Sequence, residues 1–228
     1  MVRALTRLTF LALLPCALHA QPAKTTVARE HDALVFDGRI EPVSVARALE
    51  LLQQPGITRL VITSGGGLVG PALDLAEAVR ARGLDVEVPR GCYSSCANYI
   101  VPAGRHKLLA RRGAVGWHGN MAHVLYLQRT GQGSWPEADM AEARRLEARE
   151  AAFYARAGVD GFVAWFAKLP PYAIDEFYSL SPEDMAGFGI RDVTVREPEA
   201  TVPDALVEPV RVDWPALEKL RPRAAPDS

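Results

Sequence analysis

The chain has 228 residues, 49% of them hydrophobic and 23% charged, with 18 Gly and 17 Pro. Glycine and proline together make about 15%, short of the roughly 25–30% that marks a low-complexity chain, so disordered and collagenous architectures are excluded. A formal net charge of −1 supplies no basic field for nucleic acid, and the length suits one domain with a sizeable core.

Residues 1–20 have the layout of a secretory signal peptide. Arg3 and Arg7 precede the apolar run LTFLALL, which is too short to span a bilayer, and the segment ends at Ala20 before Gln21. The expected location is therefore periplasmic or secreted after removal of the signal. Cys16 offers a lipoprotein alternative, although Pro15 stands where such signals want a small residue. Without residues 1–20 the chain carries 24 basic against 27 acidic residues, a net of −3, and two cysteines, Cys92 and Cys96. An even count in an exported chain favours a disulfide between them. Cys92, Cys96, His106 and His118 fit no zinc spacing well, so no metal is expected. No later segment has 18 consecutive apolar residues, so no membrane span is expected.

A polar leader occupies 21–32. Ala33 to Phe36 reads as a strand turning at Asp37-Gly38, and Ser44 to Gln54 as a helix with Val45, Ala48, Leu49 and Leu52 on one face, closed by Pro55-Gly56. Arg59 to Thr63 is a β-branched strand that runs into Ser64-Gly65-Gly66-Gly67. Pro71 to Arg82 forms a second helix with Pro in its first turn and Gly83 beyond its end. After a strand at Val86 to Val88, Ser94 to Val101 is expected as a buried helix and Ala114 to His118 as a strand. Residues 119–135 read as a loop. Glu137 to Ala157 is a long helix whose Arg and Glu residues form a solvated face, and Phe162 to Leu169 continues helically. Ser181 caps a short helix ending near Gly187 to Gly189, Asp192 to Val195 is the last strand, and 198–228 is a peripheral tail containing prolines. The alternation predicts an α/β fold with a mainly parallel sheet and right-handed crossovers.

Three stretches carry candidate chemistry. The glycines of Ser64-Gly65-Gly66-Gly67 can turn the backbone sharply and bare its N–H groups. Gly91-Cys92-Tyr93-Ser94-Ser95-Cys96 places a serine at a helix start, as either a cap or a nucleophile; a serine nucleophile needs an adjacent base. Val115-Gly116-Trp117-His118 ends a strand on an imidazole suited to general-base work. His106 and His123 lack motif partners and read as surface residues. The Arg105-His106-Lys107 and Arg111-Arg112 cluster reads as a solvated edge rather than a nucleic-acid site.

In order and separation, ITSGGGLVGPALDLAEAV, GCYSSCANYIVPAG and GAVGWHGN resemble the ClpP/crotonase superfamily from about Ala33 to Val195, and look most like exported ClpP-like serine peptidases. The resemblance implies a spiral of ββα units over residues 33–197. Ser95 matches the nucleophile, because Ala103-Gly104 then falls at the family's distance; Ser94 is the alternative. His118 matches the base, and the N–H groups of Gly67 and Cys96 match the oxyanion donors. In SPEDMAGFGIRD, which resembles the segment following the family's aspartate, the acidic residue is displaced. Asp175 is the best third member, Glu176 the fallback, and a Ser–His dyad the alternative. A Cys92–Cys96 disulfide departs from the peptidase pattern and would bracket the nucleophile turn. The implied activity is peptide hydrolysis without a cofactor, on a short peptide or an unfolded polypeptide, in a homo-oligomer. A non-catalytic binding or assembly protein and acyl-CoA chemistry of the crotonase type are the alternatives.

Overall fold

The computed structural model describes residues 25–111, 114–197 and 207–222. Residues 1–20, with Cys16, lie outside the described residues. In chain order the elements are β1 (Thr26–Glu30), β2 (Ala33–Asp37), α1 (Pro42–Leu52), β3 (Arg59–Thr63), α2 (Val69–Ala81), β4 (Asp85–Val88) and β5 (Cys92–Tyr93). A π-turn (Cys96–Ile100) follows, then α3 (Val101–Ala103), β6 (Lys107–Arg111), β7 (Val115–Gly116), α4 (Met121–Arg129) and α5 (Glu137–Ala157). The remainder is β8 (Phe177–Leu180), α6 (Pro182–Gly187), β9 (Val193–Glu197), β10 (Val207–Val210) and α7 (Trp214–Leu220).

The main sheet runs β1-β2-β3-β4-β6-β9, antiparallel at β1–β2 and parallel elsewhere. Period-two burial sets its core face. Leu34, Leu60 and Val86 form one cross-strand row, with Phe36 and Ile62 beside them, and all five are fully buried. That row continues through Lys107 to Val193; the Lys107 Nζ donates to the Arg191 carbonyl at 2.7 Å, while burial lowers its pKa. Ala48, Leu51 and Leu52 of α1 and Ala72, Leu75, Ala76 and Val79 of α2 line the core of these helices. α1 starts at Pro42 rather than Ser44: Pro suits the first helical position, and the Glu41 N–H donates to Ser44 Oγ at 3.0 Å.

A second, shorter parallel ladder crosses the end of the sheet. Ser64 bridges Cys92, Cys92 pairs with Val115, and Tyr93 pairs with Gly116. Three successive units therefore repeat one plan, a main-sheet strand, a short-ladder step and a helix: β3, Ser64 and α2; β4, β5 and the π-turn; β6, β7 and α4. This is the ββα spiral, and the short ladder carries the candidate site.

Several segments depart from the sequence reading. The leader contributes β1, paired along its length with β2. The expected loop contains α4, because Asn120 Oδ1 accepts from the His123 N–H at 3.1 Å and the carboxylate of Glu150 accepts from the Met121 N–H. Phe162 to Leu169 forms two 3-10 turns, Gly161–Ala164 and Phe166–Lys168, hinged at Trp165. The segment after 206 is not peripheral: β10 pairs in parallel with β8, Leu217 is fully buried, and Trp214 packs 5.0 Å from Phe188.

Candidate active site

The Gly-rich turn is clamped on both sides. Ser64 Oγ accepts from the Gly66 N–H at 3.0 Å, and Ile40 donates to the Gly66 carbonyl while its own carbonyl receives the Leu68 N–H, both at 2.9 Å. Gly66 has φ +95°, and a β-carbon there would stand 2.8 Å from Ser94 Cβ and from the Tyr93 carbonyl. A residue with a side chain would push the serine turn away, so glycine is required for this close approach.

Parallel pairing of β5 with β7 decides which serine meets the histidine. Tyr93 sits opposite Gly116, and the Ser94 N–H continues the ladder by donating to the Gly116 carbonyl at 3.0 Å. The next step along both strands sets Ser94 beside the Trp117–His118 end. Ser94 Oγ lies 2.7 Å from His118 Nε2. Its backbone is left-handed, φ +57°, a conformation that costs a non-glycine residue roughly 1–3 kcal/mol and clusters at functional turns. The Cys92–Cys96 disulfide closes this turn, with a Cα–Cα separation of 5.2 Å.

Ser95 is directed elsewhere, which corrects its assignment as the serine beside the base. It is 2% exposed, accepts the Gly67 N–H at 2.8 Å and donates to the Gly67 carbonyl at 3.2 Å. The Gly67 amide expected to receive an oxyanion is thereby occupied by a hydroxyl. The physical reason for the one-residue offset lies just downstream. The Val101 N–H bonds to the Cys96 carbonyl, five residues back, so the π-turn holds one residue more than an α-turn. Counting back from Ala103-Gly104 as through an α-helix stops one residue short of Ser94, at Ser95. The same shift moves the amide that follows the nucleophile from Cys96 to Ser95, whose nitrogen lies 3.1 Å from the β-carbon position of Gly66.

The His118 ring packs against Phe177, with centroids 4.6 Å apart. Desolvation by these neighbours and the ammonium of Lys168 lower its pKa below the ordinary 6.5, with Glu176 opposing. The imidazole is therefore neutral at pH 7 and able to accept a proton. Among the described residues no hydrogen bond reaches His118 Nδ1. The Asp175 and Glu176 carbonyls accept from Lys168 Nζ at 2.7 and 2.6 Å, and among the described residues no hydrogen bond joins either carboxylate to His118, which feels Glu176 through its charge. His106 pairs with Asp85 at 3.1 Å, and His123 stacks on Trp165 at 5.3 Å, its pKa lowered to about 4 by burial. Neither joins Cys92 and Cys96, which are bonded to each other, in a metal cluster; among the described residues no group of three potential ligands converges.

A buried polar layer lies behind the pair that sequence reasoning missed. Glu150 is 1% exposed although its helix reads as a solvated face. Its carboxylate accepts from Tyr99 Oη and, at 3.2 Å from each oxygen, from the Met121 N–H. Burial raises its pKa to about 7, these donors only partly offsetting it. Asn98 Nδ2 donates to the Gly119 carbonyl at 2.8 Å, and Tyr154 Oη donates to the Asn98 carbonyl at 3.1 Å. The one visible signal was Asn98 itself, an amide inside the apolar run of Cys96 to Ala103.

No protein family model matches the chain, and no curated protein matches it. Solved structures to which it is similar include an enoyl-CoA hydratase from Mycobacterium avium subsp. paratuberculosis K-10, at 14% identity over 43% of this chain and 51% of that one, with a TM-score of 0.33. A methylmalonyl CoA decarboxylase is similar at 9% identity over 43% and 48%, with a TM-score of 0.32. The chain thus spans about half the length of either.

Proposed function

We propose that the chain is a serine hydrolase of the ClpP-like kind, acting on peptide bonds in short or unfolded polypeptides, with Ser94 as nucleophile and His118 as general base. The observation that carries this reading is the 2.7 Å contact between Ser94 Oγ and His118 Nε2, made by a serine held in the left-handed region on a disulfide-closed turn. Serine becomes nucleophilic when a neutral imidazole can take its proton. In the first half-reaction the Ser94 oxygen bonds to the carbonyl carbon as its proton passes to His118 Nε2. The new imidazolium then protonates the departing amine, leaving an acyl-Ser94. Water, deprotonated by the same nitrogen, hydrolyses the acyl group and restores the hydroxyl.

The negative oxygen of the intermediate would sit between the Ser94 turn and the glycine turn, where the Ser95 N–H is the donor next to the nucleophile. Rotation of the Ser95 hydroxyl away from Gly67 frees a second N–H. Each such donor is worth roughly 3–4 kcal/mol. With no carboxylate on the imidazole, the machinery is a dyad. The signal-like N-terminus and the disulfide both support export to an oxidising compartment, and the family resemblance supports a homo-oligomer.

One observation favours a second reading, a non-catalytic binding protein on the same fold: the Gly67 amide is taken by Ser95. A fluorophosphonate probe, which reacts only with an activated serine, separates the two. Labelling of the purified chain that is abolished in Ser94→Ala, reduced at least a hundredfold in His118→Ala and kept in Ser95→Ala is the expected result. Folded wild-type protein that takes no label overturns the hydrolase, and label that survives Ser94→Ala but not Ser95→Ala overturns the choice of serine.

A further inference from the structure

We propose that Asn98 is a positioning residue for the Ser94–His118 pair, its side chain tying the base-bearing loop to the π-turn whose backbone at the same residue holds the nucleophile turn; this rests on the dyad reading above. Asn98 lies four residues beyond Ser94, and its backbone N–H donates to the Ser94 carbonyl at 2.8 Å. Its side-chain amide donates to the carbonyl of Gly119, the residue after His118, at the same distance. One residue therefore fixes the serine from behind and the histidine from its C-terminal side.

Packing does not account for an asparagine here. Asn98 is 2% exposed among the buried Cys96, Ala97, Tyr99, Ile100 and Val101, and its Oδ1 is buried without a hydrogen-bond partner. An unpaired buried acceptor costs stability that an apolar side chain would not. The turn bearing it is a π-turn, whose extra residue aims a side chain that an α-turn would point elsewhere. The imidazole also needs an orienting partner, since no hydrogen bond reaches its Nδ1 and no carboxylate touches it among the described residues. Its placement is left to the backbone of residues 118–121 and to the face of Phe177. That backbone is held at two points, Gly119 by Asn98 and Met121 by Glu150. The Tyr154 hydroxyl, bonded to the Asn98 carbonyl, holds the tether itself.

The test compares Asn98→Ala and Asn98→Leu with wild type in fluorophosphonate labelling and in NMR titration of the histidines. Leucine keeps the bulk and removes the unpaired oxygen, so a purely structural role would be rescued by it. Misplacement of reacting groups by about 1 Å can cost on the order of a hundredfold. Both variants are expected to lower the maximal labelling rate constant about 10- to 100-fold while the half-saturating probe concentration stays within about twofold. The His118 midpoint is expected to move up towards 6.5 as the ring loosens from Phe177. If wild type labels at Ser94 and Asn98→Leu labels at the wild-type rate, the positioning role is overturned and the hydrolase stands. If wild type takes no label, the hydrolase reading falls; an unmoved His118 midpoint in Asn98→Leu then overturns the tether as well. Should Asn98→Ala not fold, Asn98→Leu decides alone.

Discussion

Glu150→Gln isolates the cost of burying a carboxylate behind the site. Desolvation raises the Glu150 pKa from the ordinary 4.5 to about 7, against the pull of Tyr99 and the Met121 N–H. A carboxyl group with a raised folded-state pKa binds its proton more tightly folded than unfolded, so stability falls as pH rises. The sign is fixed by the two limits. Below pH 4.5 the group is protonated in both states and costs nothing extra. Between 4.5 and about 7 the unfolded chain ionises first, and above about 7 the full penalty is present. At roughly 1.4 kcal/mol per pH unit the loss amounts to about 3 kcal/mol.

Glutamine keeps the shape and one acceptor for Tyr99 or Met121 but cannot ionise. Its amide sets a constant offset of about 1–2 kcal/mol for the hydrogen bond that it loses, independent of pH. Urea unfolding of wild type and Glu150→Gln at half-unit steps from pH 4.5 to 8.5 measures the difference, in which every other titrating group cancels. The variant is expected to gain about 3 kcal/mol on wild type across that range, most of it between pH 5 and 7. A difference that stays flat within about 0.5 kcal/mol would refute the argument that burial dominates at this carboxylate.

Four further outcomes are expected. Because desolvation and Lys168 hold the His118 pKa down, the fluorophosphonate rate should fall as the pH drops, with its midpoint below 6.5; a limb centred above pH 7 contradicts a neutral base. Gly66→Ala, at φ +95° and 2.8 Å from Ser94 Cβ, should cost about 1–3 kcal/mol and at least tenfold in labelling, whereas Gly65→Ala, whose added carbon meets nothing within 4 Å, should leave the rate within about twofold. Cys92→Ser with Cys96→Ser opens a loop worth only about 2 kcal/mol in chain entropy but should lower labelling at least tenfold, since the turn at Ser94 loses its closure; unchanged labelling would show that the turn holds itself. Leu217→Ala, at a fully buried position on α7, should destabilise by about 2–5 kcal/mol in chemical unfolding, and a loss under 1 kcal/mol would return the C-terminal segment to the periphery.

What could be read from the sequence follows where local pattern and tertiary demand agree. Glu137 to Ala157 is legible to the residue, because a 21-residue amphipathic stretch ends on Gly158 at φ +67°. The strand at Arg59 is likewise marked by its β-branched run. α4 was hidden, for its decisive cap comes from two partners: Asn120, three residues away, and Glu150, 29 residues on. No window centred on residues 121–129 contains the carboxylate that receives the first amide of the helix. The C-terminal strand escaped for a similar reason, since Val207 to Val210 contains a proline and becomes a strand through β8.

The serine that meets His118 is Ser94 rather than Ser95, and the cause of the one-residue difference is specific. Spacing arguments assume a fixed advance per residue, which holds along an α-helix at 3.6 residues per turn. The Cys96–Ile100 segment breaks that assumption, and no propensity scale flags it, because Cys, Ala, Asn, Tyr and Ile are ordinary helix residues. Two features point to Ser94. In the sequence it is the middle residue of the Cys92–Cys96 bracket, and in the structure it follows a two-residue strand paired with the segment carrying His118. Ladder pairing joins the two reacting segments directly, Tyr93 to Gly116 and the Ser94 N–H to the Gly116 carbonyl, whereas the Ala-Gly spacing is measured along the intervening helical segment. Where two such rulers disagree by one residue, the one that joins the reacting groups directly is the physical one, and an extra residue should be sought inside the other.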